Sequence, residues 1–447
     1  MKRLLSFALI LCIITVFLCG CSPLGIGSGE LMKPPKTSGD EQQITALIEK
    51  NAGTGYTLKY PENGGNRSSI IIRDLDFDGE SEAVAFYQVT VNKDATTYML
   101  VMHEGSQGWE IAGSYKTLNT NIDRVDFSDI TGNGKLEIIC GFKTFNSNVN
   151  QLVIFSYEDG NASQMDVSHT YTSFVLNDFN GDQKNDILAL SIYADKNSEA
   201  SLLSYDESRQ KMQISSSVKL DQNVTGFENI ASGMLNSDTV GAAVDGIVSN
   251  DKLCTQIIYF DSRSNSLVNA LYSDSGPAPN PTIRDGKTYC MDIDDDNIIE
   301  IPVLSKMPYT GGENAEFVVT SAVWNEFDTA SATLAENCYM MVLYNFGFYF
   351  QLSKEALEKT TARIDAEDRS VTVYEWSDGN IQNPLLTIKI FNTEDLTKTG
   401  KPQGYTLIRE EGAKSYYYKI HDVQGSFSFS DEDIQQSFRL FSDYYEK

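Results

Sequence analysis

The sequence predicts a mainly β protein: about five repeat units of four strands each, followed by a small α+β module. Three observations predict this. From about residue 68 to 305, short runs of Val, Ile, Phe and Tyr alternate with breaks of Gly, Asn and Asp, the pattern of short strands and tight turns. Within that stretch an acidic nine-residue segment recurs, each copy running into a very apolar strand. Between the copies lies a second recurring piece, an apolar hairpin such as Tyr98–His103 with Gly108–Ile111, or Gln256–Phe260 with the turn after it.

The four acidic copies align residue for residue. The odd positions are Asp74, Asp76, Asp78, Glu80 and Glu82 in the first, and Asp129, Thr131, Asn133, Lys135 and Glu137 in the second. They are Asp178, Asn180, Asp182, Lys184 and Asp186 in the third, and Asp292, Asp294, Asp296, Ile298 and Glu300 in the fourth. The first three copies start 55 and 49 residues apart, and the last gap, 114, is two periods. A worn copy, Gly233–Gly241 before Ala242, sits in that gap without the acidic residues. Five units with a period near 50 to 59 and about four strands each carry the signature of β-propeller blades. A β-solenoid has shorter repeats and a string of sandwiches longer ones.

The acidic segment resembles the FG-GAP/VCBS repeat of integrin α-type propellers and of many bacterial surface proteins, over roughly residues 68 to 305. The resemblance implies a propeller whose loops bind Ca²⁺ and whose top face binds a partner. The loop residues support a cation site in their own right. Ca²⁺ takes six to eight oxygens at flexible spacing. Side chains at positions 1, 3 and 5 of a tight loop point to one centre, position 7 adds a backbone carbonyl, and position 9 adds a carboxylate. Gly at position 6 supplies the positive φ of the turn. By carboxylate count the first and fourth loops rank highest. The third is compromised by Gln183 at position 6, and the second, with only Asp129 and Glu137, ranks lowest. Acidic turns without an ion are the alternative, since Asp, Asn and Gly dominate turns, but clustered carboxylates repel one another unless a cation sits between them.

The N-terminus reads as an export signal over residues 1–20: Lys2 and Arg3, an apolar run from Leu4 to Leu18, then small residues. That run is shorter than the roughly 20 residues of a membrane-spanning helix. Leu18-Cys19-Gly20-Cys21 resembles the lipobox of bacterial lipoproteins. The resemblance implies that Cys21 is lipidated and anchors the chain to the extracytoplasmic face of a bacterial cell membrane. Residues 21–40, rich in Gly, Ser, Pro and Lys, read as a flexible tether. The repeat body then spans 41–334, opening with a short helix around Ile44, Leu47 and Ile48, and the α+β module spans 335–447. In that module, Ser353 and Ser430 are helix N-caps. Ser275–Pro281 is a stiff loop.

A formal charge of −27 argues against nucleic acid as a partner, which needs a cationic face. Cys140, Cys254, Cys290 and Cys338 lack metal-ligand spacing and read as buried free thiols. His103, His169 and His421 form no metal pair, and no nucleophile elbow or phosphate loop is present. The aromatics of the last module (Tyr344, Phe346, Phe348, Tyr349, Phe350, Tyr374, Trp376 and Tyr416–Tyr418) read as strand core and cross-strand pairs before they read as a sugar-stacking face. The expected role is a calcium-binding, non-enzymatic scaffold for a protein or glycan at the cell surface. A polysaccharide-active enzyme and a structural subunit of an envelope complex are the alternatives. A cleft that joins cations to carboxylates and exposed aromatics is the cue for the enzyme.

Overall fold

The computed structural model describes residues 39–92, 94–117, 121–193, 198–272, 280–285, 288–308, 319–422 and 428–445. The expected signal, Cys21, the tether up to residue 38 and most of the Ser275–Pro281 loop lie outside them. Gly39 and Asp40, expected in the tether, instead open helix α1 (Gly39–Ala52), whose first turn carries Asp40 and Glu41 where the helix dipole favours negative charge.

Six antiparallel sheets follow in chain order. The first contains β1 (Tyr56–Lys59) and β2 (Ile70–Arg73), both along one edge of β3 (Glu82–Val91), then β4 (Asp94–Gly105) and β5 (Gly108–Lys116). The second runs β6 (Ile122–Ser128), β7 (Glu137–Phe142), β8 (Asn150–Glu158), with β9 (Asn161–Gln164) and β10 (His169–Tyr171) on β8. The third is β11 (Ser173–Asn177), β12 (Asp186–Ser191), β13 (Glu199–Asp206) and β14 (Lys211–Lys219). The fourth is β15 (Gly226–Asn236), β16 (Thr239–Val248), β17 (Lys252–Asp261) and β18 (Ser266–Asn269). The first three acidic segments join a short edge strand (β2, β6 or β11) to the strand beside it, which is wholly buried in β7 and β12 and buried over the first six residues of β3. The worn copy has become a two-residue turn, Ser237–Asp238.

The fifth unit departs from this plan. Ahead of its acidic loop the first strand is reduced to a single bridge, Met291 with Glu300. The sheet proper begins with β19 (Ile301–Lys306) and continues through β20 (Thr320–Asp328), β21 (Thr333–Leu343) and β22 (Phe348–Leu352). A strand from the chain end, Phe438–Leu440, completes it. The boundary expected at 334/335 therefore falls inside the β20–β21 hairpin. A composition change marks where the acidic repeat stops, but sheet hydrogen bonding runs on past it. The apolar run Cys338–Phe350 is likewise two strands, turned at Gly347 with φ +78°. The sixth sheet holds β23 (Thr360–Asp365), β24 (Ser370–Ser377), β25 (Asn380–Asn392), β26 (Thr406–Glu411) and β27 (Lys414–Ile420).

Alternation along the strands gives most sheets two apolar faces, and these faces bind the sheets into a row. Val84, Phe86, Met99 and Val101 of the first sheet pack on Val125, Ile138 and Cys140 of the second. The second sheet's other face (Ile139, Leu152, Ile154) meets Phe174, Ile187 and Leu203. Leu188, Leu190 and Leu202 then meet Ala242, Val244 and Ile258. Ala243, Ile257 and Tyr259 in turn meet Ile301 and Phe327 of the fifth sheet. The outer face of the first sheet (Ala83, Ala85, Tyr87, Leu100, Met102) is covered by Ile44 and Ile48 of α1. The free face of the fifth (Ala322, Trp324, Met340, Tyr349) is covered by Ile293, Phe441 and Tyr444. One face of the first sheet and one face of the fifth are thus each covered by a short segment laid over it.

The sixth sheet packs on Met341, Leu343, Phe348 and Phe350 of the fifth through Val371, Val373, Leu386, Ile388, Tyr416 and Tyr418. Helices α2 (Lys354–Lys359), α3 (Thr393–Thr399), α4 (Asp431–Ser437) and α5 (Ser442–Tyr445) fringe this end. Ser353 caps α2. Ser430 caps α4 in a reciprocal box: its hydroxyl accepts the Asp433 N–H at 3.1 Å while Asp433 accepts the Ser430 N–H at 2.9 Å. Ser430→Ala is expected to cost about 1 kcal/mol, read as a shifted urea midpoint with an unchanged denaturant slope.

The long connection between the fourth and fifth sheets is held by a buried polar knot. Asp245 of β16 and Arg284 pair at 2.7 Å with both side chains fully inaccessible. Arg284 also donates to Thr255 Oγ1 (2.8 Å) and to the carbonyls of Thr282 and Thr288. Asp245 accepts from the Thr255 hydroxyl, the Cys290 N–H and the Asn229 amide. Every charged atom has a partner, without which such burial is prohibitive.

Candidate functional site

The four acidic loops share one internal geometry. The position 9 carboxylate, almost fully buried, accepts the N–H of position 2: Glu82 from Leu75 (2.8 Å), Glu137 from Ile130 (3.0 Å), Asp186 from Phe179 (3.1 Å) and Glu300 from Ile293 (2.9 Å). The position 1 aspartate accepts the N–H of position 6: Asp74 from Gly79, Asp129 from Gly134, Asp178 from Gln183 and Asp292 from Asn297. Position 5 accepts the N–H of position 7, so Asp78, Asn133, Asp182 and Asp296 cap Glu80, Lys135, Lys184 and Ile298. Position 6 is left-handed throughout: Gly79 +94°, Gly134 +81°, Gln183 +70° and Asn297 +71°. Gln183, the departure that put the third loop's geometry in question, adopts the turn regardless.

Position 3 divides the loops into two kinds. In the second loop the Thr131 hydroxyl donates to Glu137 Oε1 at 3.1 Å, and in the third the Asn180 amide donates to Asp186 Oδ1 at 3.0 Å. There the buried carboxylate is satisfied from within the loop. In the first and fourth loops position 3 is Asp76 or Asp294, which can only accept when ionised. Asp74, Asp76 and Asp78 bring one oxygen each within 4.8 Å of one another. Asp74 Oδ1 and Asp76 Oδ1 are buried without any hydrogen-bond partner. Glu82 is spent on the Leu75 N–H instead of joining that trio. In the fourth loop Asp292, Asp294 and Glu300 form one such group and Asp296, Glu300 and Glu326 a second that shares Glu300. Asn337 donates to Asp294 and Glu300 at 3.1 and 3.3 Å.

Burial raises the position 9 carboxylate in all four loops. Burial, with the charges of Asp76 and Asp78 adding to it, pushes Glu82 up to about 7. Burial and the neighbouring Asp294 and Asp296 push Glu300 to about 8. Glu326 is raised by burial and by the same two aspartates. Asp186 rises to about 6, chiefly by burial, against the pull of its hydrogen bonds.

The loops are also tied to one another. The position 8 amide of each acidic loop after the first donates to the preceding unit: Leu136 to the Leu75 carbonyl (2.7 Å), Asn185 to that of Asp129 (3.3 Å) and Ile299 to that of Met234 (2.8 Å). Lys135 of the second loop approaches Asp76 of the first at 3.9 Å. Lys184 lies over Gly132 and pairs with Glu207 at 2.5 Å.

Sequence reading missed Glu326, Asn337 and the Asp245–Arg284 knot. Glu326 and Asn337 follow the fourth loop by a whole strand and carry no motif, and only the register of β20 and β21 brings them over it. The four cysteines are free and buried, and burial raises Cys254 to about 11 and Cys338 to about 12, so neither is a nucleophile at neutral pH. His421 bonds Thr387 Oγ1 at 2.9 Å, and His169 is lowered by burial. Of the aromatics singled out, Phe346, Phe348, Tyr349, Phe350 and Tyr416–Tyr418 are buried. Tyr374 and Trp376 are half-buried, and Tyr344 is 36% exposed. Among the described residues no helix is long and apolar enough to cross a membrane.

No family model matches the chain, and no curated protein matches its sequence. Solved structures align with it only loosely. Saccharomyces cerevisiae Sqt1 aligns over 82% of this chain and 98% of its own at 7% identity and TM-score 0.31. The propeller of Dos1 aligns over 82% and 81% at 13% identity and TM-score 0.26. The Bacillus licheniformis rhamnogalacturonan lyase PL11 aligns over 83% and 92% at 9% identity and TM-score 0.29. Scores this low mark none of them as a relative. What the structure itself defines is a mainly β protein of stacked four- and five-stranded antiparallel sheets.

Proposed function

We propose that the stacked sheets form a propeller-type scaffold, tied by Ca²⁺ at the first and fourth acidic loops, that binds a protein or glycan at a bacterial cell surface. The observation that carries the metal assignment is the pair of buried, partnerless oxygens, Asp74 Oδ1 and Asp76 Oδ1, in a trio of converging aspartates. Asp74, Asp76 and Asp78 would hold one ion. Asp292, Asp294 and Glu300 would hold the other, with Asp296 and Glu326 grouped beside them on Glu300. Oxygen-only donors of this kind suit a hard divalent cation. The ion would neutralise each cluster and fix the turn between two strands, a structural role. The second and third loops, satisfied by Thr131 and Asn180, fold without metal.

Native mass spectrometry of the chain from residue 22 onward, with calcium and with chelator, is the test. Two bound ions per chain, falling to one in Asp76→Asn and unchanged in Asn180→Ala, are the expected result. An ion-free spectrum in millimolar calcium sinks the metal assignment. The anchor rests on Cys21 and its lipobox-like context. Labelled palmitate fed to bacteria expressing the whole chain should enter the wild type and be absent from Cys21→Ala.

The alternative of a polysaccharide-active enzyme is favoured by one observation: an open groove on the sixth sheet that joins Arg363 to Asp365, Glu367 and Asp368 beside Tyr374 and Tyr405. New reducing ends after prolonged incubation with soluble polysaccharides would establish it, and none would leave the binding role.

A further inference from the structure

Three concavities with room for a ligand lie away from the acidic loops. They surround the β23–β24 hairpin tip on the sixth sheet, and the first, of about 620 Å³, lies within the usual size range of small-molecule sites. Strand alternation builds its floor. Val371, Val373, Leu386 and Ile388 point into the core, so Thr372, Tyr374 and Thr387 point the other way, into the groove. The Thr372 and Thr387 hydroxyls bond each other across the strands at 2.9 Å, and His421 holds Thr387 from the far side.

Tyr374 is aimed by irregularity. The β24–β25 register slips on both sides of it, between Val373 and Tyr374 and again before Trp376. Such bulges re-aim side chains and are over-represented beside functional sites. Tyr405, at the entrance to β26, packs edge-on against Phe391 with ring centroids 6.0 Å apart, which fixes its plane. Next to the groove, Lys389 is paired with Asp368 and lies over Phe391 at 5.4 Å, so that cation is spent. Arg363 remains on the rim among Asp365 and Glu367.

The lining selects a ligand class. With Asp368 paired to Lys389, Asp365 and Glu367 outnumber the one rim guanidinium and disfavour an anion. Two half-exposed aromatic faces over a floor of hydroxyls, with charged donors and acceptors at the edge, suit the alternating apolar faces and equatorial hydroxyls of a neutral sugar. We infer that the groove bounded by Tyr374, Tyr405, Thr372, Thr387 and Arg363 binds a neutral oligosaccharide, the two tyrosines stacking on the rings. This rests on the surface-binding role proposed above and moves that role from the repeat body to the C-terminal sheet.

The test is a titration of the full chain with neutral tetrasaccharides of glucose, mannose and N-acetylglucosamine, with a uronic acid tetrasaccharide as control. It is read by saturation-transfer NMR and calorimetry. At least one neutral probe is expected to bind and the acidic one to fail. Tyr374→Ala and Tyr405→Ala should each weaken binding at least tenfold, while Tyr374→Phe, which keeps the ring, stays within about threefold. Each of these side chains is outside the core, and an unchanged melting curve verifies the fold. No binding of any neutral probe, or binding indifferent to both alanine variants, overturns the assignment. If no neutral probe binds while a protein partner is separately crosslinked to the repeat sheets, the scaffold role stands and only the sugar groove falls.

Discussion

Arg284→Met is expected to destabilise the protein by about 3–5 kcal/mol, the cost of leaving one half of a buried ion pair uncompensated. Asp245 would keep its Thr255, Cys290 and Asn229 donors, but its charge would sit in a fully inaccessible site without its guanidinium. The loss is read from urea denaturation of wild type and variant. The reverse substitution, Asp245→Asn, strands the arginine instead and should cost a similar amount. The double variant removes both charges and should lose less than the two singles together, by up to about 3 kcal/mol, because the residues share one network. Strict additivity would mean that Arg284 acts only through its bonds to the Thr282 and Thr288 carbonyls, as a clasp on the connecting segment.

Chelation is the second test with a large expected effect, and it follows from the two calcium sites proposed above. A ligand at a hundredfold excess over its dissociation constant stabilises the folded state by about 2.7 kcal/mol per site. Two such sites would contribute about 5 kcal/mol, and at the roughly 2–4 °C per kcal/mol of larger domains the expected result is a fall of about 10 °C or more on chelation. Asp74→Ala should abolish roughly half of that response, and Asp292→Ala the other half. A variant of the second loop, Asp129→Ala, should lower the baseline stability through its lost turn bonds while leaving the calcium response intact. A melting curve indifferent to chelator would show the loops to be self-sufficient turns.

Much of this was legible in the strand alternation and in the repeat of the acidic segment. Each odd position of the segment has one job dictated by a nine-residue turn. Position 1 caps the turn, position 5 caps position 7, and position 9 buries a carboxylate against position 2. Those are local hydrogen bonds between residues a few positions apart, so a sequence pattern can encode them. The left-handed position 6 was readable as Gly or Asn; Gln183 was not, because the surrounding bonds impose the turn on a residue that does not prefer it. The N-caps Ser353 and Ser430 are local in the same sense.

How the buried carboxylate of each loop is satisfied was only partly readable. Counting carboxylates ranked the first and fourth loops highest, and the structure adds that position 3 donates to position 9 in the second and third loops, where it is Thr131 or Asn180. That is a contact geometry, and Glu326 and Asn337 reach the fourth loop only through strand register. The same holds for the Asp245–Arg284 knot, whose members belong to different units, and for the strand Phe438–Leu440, which closes a sheet begun more than a hundred residues earlier. By itself the sequence determined the recurrence of short strands, the turns and the acidic turn chemistry, because these depend on neighbours along the chain. The tertiary structure alone decided what covers one face of the first sheet and one face of the fifth, where the fifth sheet stops and which face of the last sheet is hollow, because burial and register join residues that no short-range pattern connects.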